Sequence, residues 1–300
     1  TGCYPTSLST QQMRSGFAIP KTMRGFPALL RARGFYTSNN VKTDYNTGNY
    51  ADIIKHSWNE SSATAHWRKR NDKARPFFSI FNLMTSHQSR TMVWPYARFQ
   101  KEVQSKLSPS EIHDPAKALL PPYYPDTPLI RREVARFYDC VTAMDKEVGA
   151  ILQQLADDGF AENTIVFFCG DNGGNNYFKT AEHPRGLHSA NKDPRTGVEF
   201  RGGKGNLYEG GLRIPYLVRW PGKIKAGQVS DLIFYHPDVL PTLAELTGAK
   251  APGDIDGLSF LPTLLGVGEQ EKHKMLYWEF GRQTAVRKDR WKAIQPRKDR

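Results

Sequence analysis

One stripe of apolar residues constrains this chain more than any other feature. Val134, Phe137, Val141, Met144, Val148, Ile151 and Leu155 recur at alternating spacings of three and four, which puts them on one face of a continuous α-helix. Gly159 supplies the stop. Next stands Thr164-Ile165-Val166-Phe167-Phe168-Cys169, β-branched and aromatic like a buried strand, followed by Gly170-Asp171-Asn172-Gly173-Gly174. Long helix, short connection, strand and glycine-rich turn is the rhythm of an α/β protein with helices on the faces of a parallel sheet.

Other segments extend the pattern. Residues 26–33 read as a helix with Pro27 in its first turn and Gly34 as its stop, and residues 35–41 as a strand. Residues 46–75 are polar, with Trp58 and Trp67 as anchors. The nearly continuous apolar run over 77–84 predicts a strand buried on both faces. Residues 119–128, rich in proline, form an irregular connection. Residues 214–220 read as a strand and 237–246 as a helix closed by Gly248.

Of 300 residues, 39% are hydrophobic, including 16 Phe, 13 Tyr and 6 Trp. That supports a real core and excludes a mostly disordered chain. No apolar run approaches the ~20 residues of a membrane span. Cys3, Cys140 and Cys169 form neither a disulfide framework nor a CxxC site, which excludes a zinc ribbon and a thioredoxin-type centre. With 42 Lys and Arg against 30 Asp and Glu the net charge is +12. Such a field draws polyanions, or it simply keeps the surface soluble. No nucleic-acid motif accompanies the charge, so nucleic acid is not an expected partner.

In an open α/β sheet, ligands gather beyond the carboxyl ends of the strands. Asp171 and Asn172 fall there, a carboxylate and an amide carbonyl suited to Ca²⁺ or Mg²⁺; Asp-Asn-Gly is equally ordinary turn chemistry. His87 and Lys42 likewise follow predicted strands. The glycine-rich Arg201-Gly202-Gly203-Lys204-Gly205 brings backbone N–H groups and a point charge to an anion, although no Walker loop is present. The long connection from Gly173 to Gly203 suggests a functional loop, in which His183, Arg185 and His188 are candidate substrate contacts; the alternative is a solvated loop.

Taken together, residues 164–172 and 201–220 resemble the sulfatase family of the alkaline phosphatase-like superfamily, with its "TIVxFxSDNG … RGGKxxLYEGGxRVPxxVRWPGK". Residues 77–87, the long helix, residues 235–248 and Leu276-Tyr277-Trp278-Glu279-Phe280 match in the same order. The resemblance implies an α/β fold, a mixed, mostly parallel sheet with helices on both faces. It implies a catalytic domain over 1–266, lacking its N-terminal part, and the beginning of a C-terminal subdomain over 267–300. It implies a calcium-dependent sulfuric ester hydrolase acting on an anionic sulfated glycan or related sulfate ester, secreted or periplasmic, or lysosomal in an animal. Asp171 and Asn172 match calcium ligands, Lys204 a lysine holding the sulfate oxygens, His87 a histidine at the ester oxygen, and Lys42 the lysine of "GKWH".

Two departures stand out. Asp44 takes the place of the histidine two residues after Lys42, and a carboxylate cannot donate as an imidazole does. Cys3-Tyr4-Pro5-Thr6-Ser7 imitates the C/S-x-P-x-R segment whose cysteine or serine becomes formylglycine, but Ser7 stands where arginine is required. The expectation is a chain cut at both ends, with formylglycine upstream of residue 1 and not at Cys3. The alternatives are a phosphomonoester or phosphonate hydrolase of the same superfamily, and an inactive polyanion-binding fragment.

Overall fold

The structure, a computed structural model, describes residues 1–120, 124–175, 188–192 and 196–296. They fall into two compact units, one of residues 1–82, 205–207 and 222–300, the other of residues 83–204 and 208–221.

In the first unit Pro27 opens α1 (Phe26–Ala32) and Gly34, at φ +91°, lets the chain leave it. The chain continues through β1 (Tyr36–Asn40), α2 (Tyr50–Ser57), β2 (Glu60–Ser61) and β3 (Phe77–Phe81). β1 lies between the other two strands, parallel to both, with Tyr36 opposite Phe77 and Asn40 opposite Phe81. Burial in this sheet departs from the expectation. The apolar β3 is only partly buried along its length, whereas Thr37, Ser38 and Asn39 of β1 are at most 1% exposed. The central place of β1 dictates this, and hydrogen bonds make it tolerable. The Thr37 hydroxyl donates to the Ser57 carbonyl at 2.8 Å, Ser38 meets Ser79 at 2.8 Å, and the Asn39 amide reaches Ser61 at 3.0 Å. The anchors Trp58 and Trp67 are buried as expected. The helix α2, hidden in a polar stretch, was not legible.

The second unit contains α3 (Ser89–Met92), α4 (Tyr96–Glu102), α5 (Pro128–Asp157), β4 (Val166–Cys169), β5 (His188–Lys192), β6 (Glu199–Arg201), α6 (Glu209–Leu212) and β7 (Tyr216–Arg219). The long helix forms where the spacing predicts, capped by the Thr127 hydroxyl accepting from the Ile130 N–H at 3.3 Å. The apolar stripe is buried at its ends, at Val134 and Leu155, but not at its middle. Val141 is 38% exposed, while Arg136, Asp139, Cys140 and Ala143 are buried. Small and hydrogen-bonded residues here do what a count of apolar side chains assigns to large ones. Asp139 accepts from Gln104 at 2.8 Å and from the His113 backbone N–H at 2.8 Å. Gly149 lies mid-helix on α5 with nothing within 4 Å of a built Cβ. Gly149→Ala should therefore stabilise the protein by roughly 0.5–1 kcal/mol, read as a raised denaturation midpoint.

β4 pairs antiparallel with β7, Phe167 opposite Val218. The architecture is thus α/β with both strand directions, parallel around β1 in the first unit and antiparallel in this one. An antiparallel partner needs no helical crossover, and the described residues between these strands include the β5–β6 pair. Returning to the first unit, α7 (Val239–Thr247) ends on Gly248 in the left-handed region and α8 (Leu261–Leu265) on Gly266. β8 (Leu276–Phe280), β9 (Gln283–Lys288) and β10 (Trp291–Gln295) close the chain as an antiparallel meander. Its first turn uses Gly281 and Arg282, both at positive φ, as a two-residue hairpin requires. Among the described residues no helix is long and apolar enough to cross a membrane.

Candidate active site

Where β4 ends, the Gly170 N–H donates to the Pro215 carbonyl at 3.2 Å, and the chain turns through Asp171 and Asn172. Three backbones then pass through one point. The Gly173 N–H donates to the Gly211 carbonyl at 3.0 Å, and a Cβ on Gly173 would sit 1.8 Å from the Gly210 oxygen. A Cβ on Gly210 would in turn lie 2.1 Å from the oxygen of Gly202, itself at φ +74°. Only glycines allow this approach. The result appears one residue later, where the Gly174 carbonyl accepts from the Lys204 N–H at 2.9 Å. The glycine-rich segment and the Asp171–Asn172 turn, far apart in sequence, are one constellation, with Asp171 and Lys204 both exposed.

His87 stands just before α3, whose far end reaches the residues after this turn. The His87 N–H donates to the Met84 carbonyl at 3.1 Å. The imidazole Nδ1 lies 2.8 Å from the Ser89 Oγ and accepts from the Ser89 backbone N–H at 3.3 Å. Ser89 thus fixes the orientation of the imidazole ring through its Nδ1 edge. At the far end of α3 the Asn175 amide reaches the Met92 sulfur at 3.1 Å, tying the helix to the turn after Asn172. Ser89 and Asn175 were absent from the sequence reading. A serine two residues after a histidine is a weak local signal, and for Asn175 there was none.

Lys42 and Asp44 belong to the first unit. Both are exposed in the turn that follows β1, where the Asn39 amide donates to the Lys42 carbonyl at 2.9 Å. His183 and Arg185 lie outside the described residues. His188 opens β5, opposite Arg201 of β6, so this part of the expected loop is a strand pair; its polar composition gave no strand signal because the partner strand supplies the order.

Asp171 and Asn172 offer two hard oxygen donors. Among the described residues no cluster of three His, Cys, Asp or Glu side chains forms a metal site. The donor chemistry therefore fits calcium as part of a ligand set of six to eight oxygens and does not fit zinc. Beside this pair, desolvation and then the Asp171 charge push the Cys169 pKa up.

Cys3 is buried, its thiol directed at the Asp254 carbonyl. Around it the Tyr4 N–H donates to the Asp256 carboxylate at 2.7 Å and the Gly257 N–H to the Gly2 carbonyl at 2.9 Å. Burial first, and then the Asp256 charge, push the Cys3 pKa up, which favours an inert thiol over a nucleophile.

Comparison with known proteins bears on this constellation. Residues 1–249 match the Sulfatase family and residues 203–298 match N-sulphoglucosamine sulphohydrolase, C-terminal. An ulvan-active sulfatase of Formosa agariphila is 32% identical over 87% of this chain and 45% of its own length. The N-acetylgalactosamine-6-sulfatase of Mus musculus is 28% identical over 98% of this chain and 58% of its own. The chain thus spans about half the length of the curated relatives it matches. A protein solved in complex with its substrate D-glucosamine-2-N,6-O-disulfate superimposes with a TM-score of 0.64 at 18% identity, covering 98% of this chain and 76% of that one.

Proposed function

This chain belongs to the sulfatase family, and on that premise we propose that it forms much of a calcium-dependent hydrolase that releases sulfate from a sulfated saccharide. The observation that carries this reading is the hydrogen bond from Lys204 to Gly174, which joins an anion-binding lysine segment to a carboxylate–amide pair suited to calcium. The excess of basic residues suits an anionic polymer, which the enzyme would meet outside the cytoplasm. We assign residues 1–266 to the catalytic domain and 267–300 to the start of a C-terminal subdomain.

In this mechanism Asp171 and Asn172 would hold the calcium ion, whose chemistry would be positive charge set against a sulfate group. Lys204 places its ammonium on the non-bridging oxygens, where negative charge spreads as the sulfur–oxygen ester bond breaks. His87 turns Nε2–H toward the leaving oxygen and, as an imidazolium whose other N–H is held by the Ser89 hydroxyl, would donate the proton that makes that oxygen an alcohol, itself returning to neutral imidazole. Lys42 adds a second cation, and because Asp44 stands where the family has a histidine, leaving-group protonation is assigned to His87. His183, Arg185 and His188 are assigned to the saccharide. The buried Cys3 is not the nucleophile; that role goes to a formylglycine in a C/S-x-P-x-R segment elsewhere in the protein.

The test is sulfate release by the full-length protein from aryl sulfates and sulfated saccharides, with metal analysis of the same sample. The reading expects one calcium per chain, activity lost on chelation and its return with calcium but not zinc. Two bound transition metals together with phosphonate cleavage would overturn it, as would formylglycine-bearing protein that releases no sulfate.

A further inference from the structure

Beyond His87 the chain builds an arginine shelf that the proposed hydrolysis leaves unused. The guanidinium of Arg90 lies 4.0 Å from the ring centroid of Trp94, and that of Arg98 lies 4.1 Å from it. Trp94 is fixed because it packs on the buried cluster of Phe99, Val103, Leu107, Cys140 and Ala143. The backbone beneath is fixed as well. Arg136 of α5, buried, donates through Nη2 to the Arg90 carbonyl at 2.9 Å and to the Trp94 carbonyl at 3.1 Å.

Charge on this shelf is unbalanced. Glu133 accepts from Arg136 at 2.9 Å and lies 3.2 Å from Arg132, so it serves those two. Neither Arg90 nor Arg98 has a carboxylate within ion-pair distance among the described residues, and Arg98 is exposed. Partial burial above all, and less strongly the charge of Arg98, push the Arg90 guanidinium below its ordinary pKa, while Glu102 and Glu147 act against them from beyond ion-pair distance. Two like charges held beside one indole repel, and an oxyanion between them would relieve that repulsion while accepting paired N–H bonds.

The shelf adjoins the candidate active site by contact. Arg90 Nη1 donates to the Ser89 Oγ at 3.3 Å, the same oxygen that lies 2.8 Å from His87 Nδ1. Met92, on the same short helix, meets Asn175 beside the Asp171–Asn172 turn.

We propose that Arg90 and Arg98, held on Trp94, bind a second oxyanion of the saccharide, a carboxylate or sulfate carried next to the ester that is hydrolysed. The proposal rests on the hydrolase reading for its substrate class. It separates a general sulfate site, which any sulfate ester can enter, from a local selector for polyanionic sugars.

Calorimetric binding to the full-length protein tests it with three disaccharides: one carrying a single sulfate, one carrying that sulfate beside a uronate carboxylate, and one carrying it beside a second sulfate. Arg98→Gln should weaken binding of at least one dianionic disaccharide about tenfold or more and leave the monosulfated one unchanged. Which dianion responds identifies the oxyanion. Lys101→Gln, one exposed charge removed from the same helix, should leave all three unchanged. Equal losses on all three sugars, no loss on any, or an equal effect of Lys101→Gln would each overturn the subsite. Wild-type protein that binds these sugars selectively through Arg98 yet releases no sulfate would overturn the hydrolase reading alone.

Discussion

Asp171→Ala should lower kcat/KM for sulfate release by about 10³-fold, equivalent to about 4 kcal/mol of transition-state stabilisation. The carboxylate would be the charged member of the donor pair at the end of β4, and its loss leaves the Asn172 amide, a neutral donor, facing a divalent cation. Calcium affinity, measured by titration of metal-free protein, should fall in parallel, whereas the thermal transition of the calcium-free protein should hardly move, because Asp171 is exposed. Asp171→Asn is the informative companion. It preserves shape and removes charge, so it should retain the fold and lose most of the calcium affinity. Unchanged calcium binding in both variants would show that this turn is only a turn.

Gly173→Ala should destabilise the protein by roughly 2–4 kcal/mol, lowering the melting temperature by about 5–10 °C. The added Cβ would lie 1.8 Å from the Gly210 oxygen and 2.8 Å from the Gly211 Cα, both backbone atoms. A flexible side chain swings aside, but a backbone crossing has nowhere to go. The damage should reach function too, since the displaced strand carries the Gly174 carbonyl that holds Lys204. Gly149→Ala, on an open helix surface, should shift stability in the opposite direction. Equal melting temperatures for wild type and Gly173→Ala would show that the crossing is looser than its geometry implies.

Much of the fold was legible because it rests on local signals. Pro27 and Gly34 bracket α1, and Gly248 closes α7, through backbone preferences that act over a few residues. Burial was less legible. The polar β1 is more deeply buried than the apolar β3, and the buried face of α5 carries Arg136 and Asp139. Hydropathy ranks residues by what they lose when leaving water alone, whereas Asn39 and Asp139 leave water already bonded to Ser61 and Gln104.

The candidate site divides in the same way. Asp171, Asn172, Lys204 and His87 could be named from residue type, from position after a strand and from motif order, all properties of a one-dimensional string. What only the folded chain decided is which of them meet and what holds them. The Gly173–Gly210–Gly202 crossing, the Ser89 contact that orients the His87 ring, and the Arg90–Trp94–Arg98 shelf each join groups through space. Pattern follows from the chemistry of neighbours along the chain. Convergence depends on packing and on the pairing of distant backbones, whose energies no local window contains.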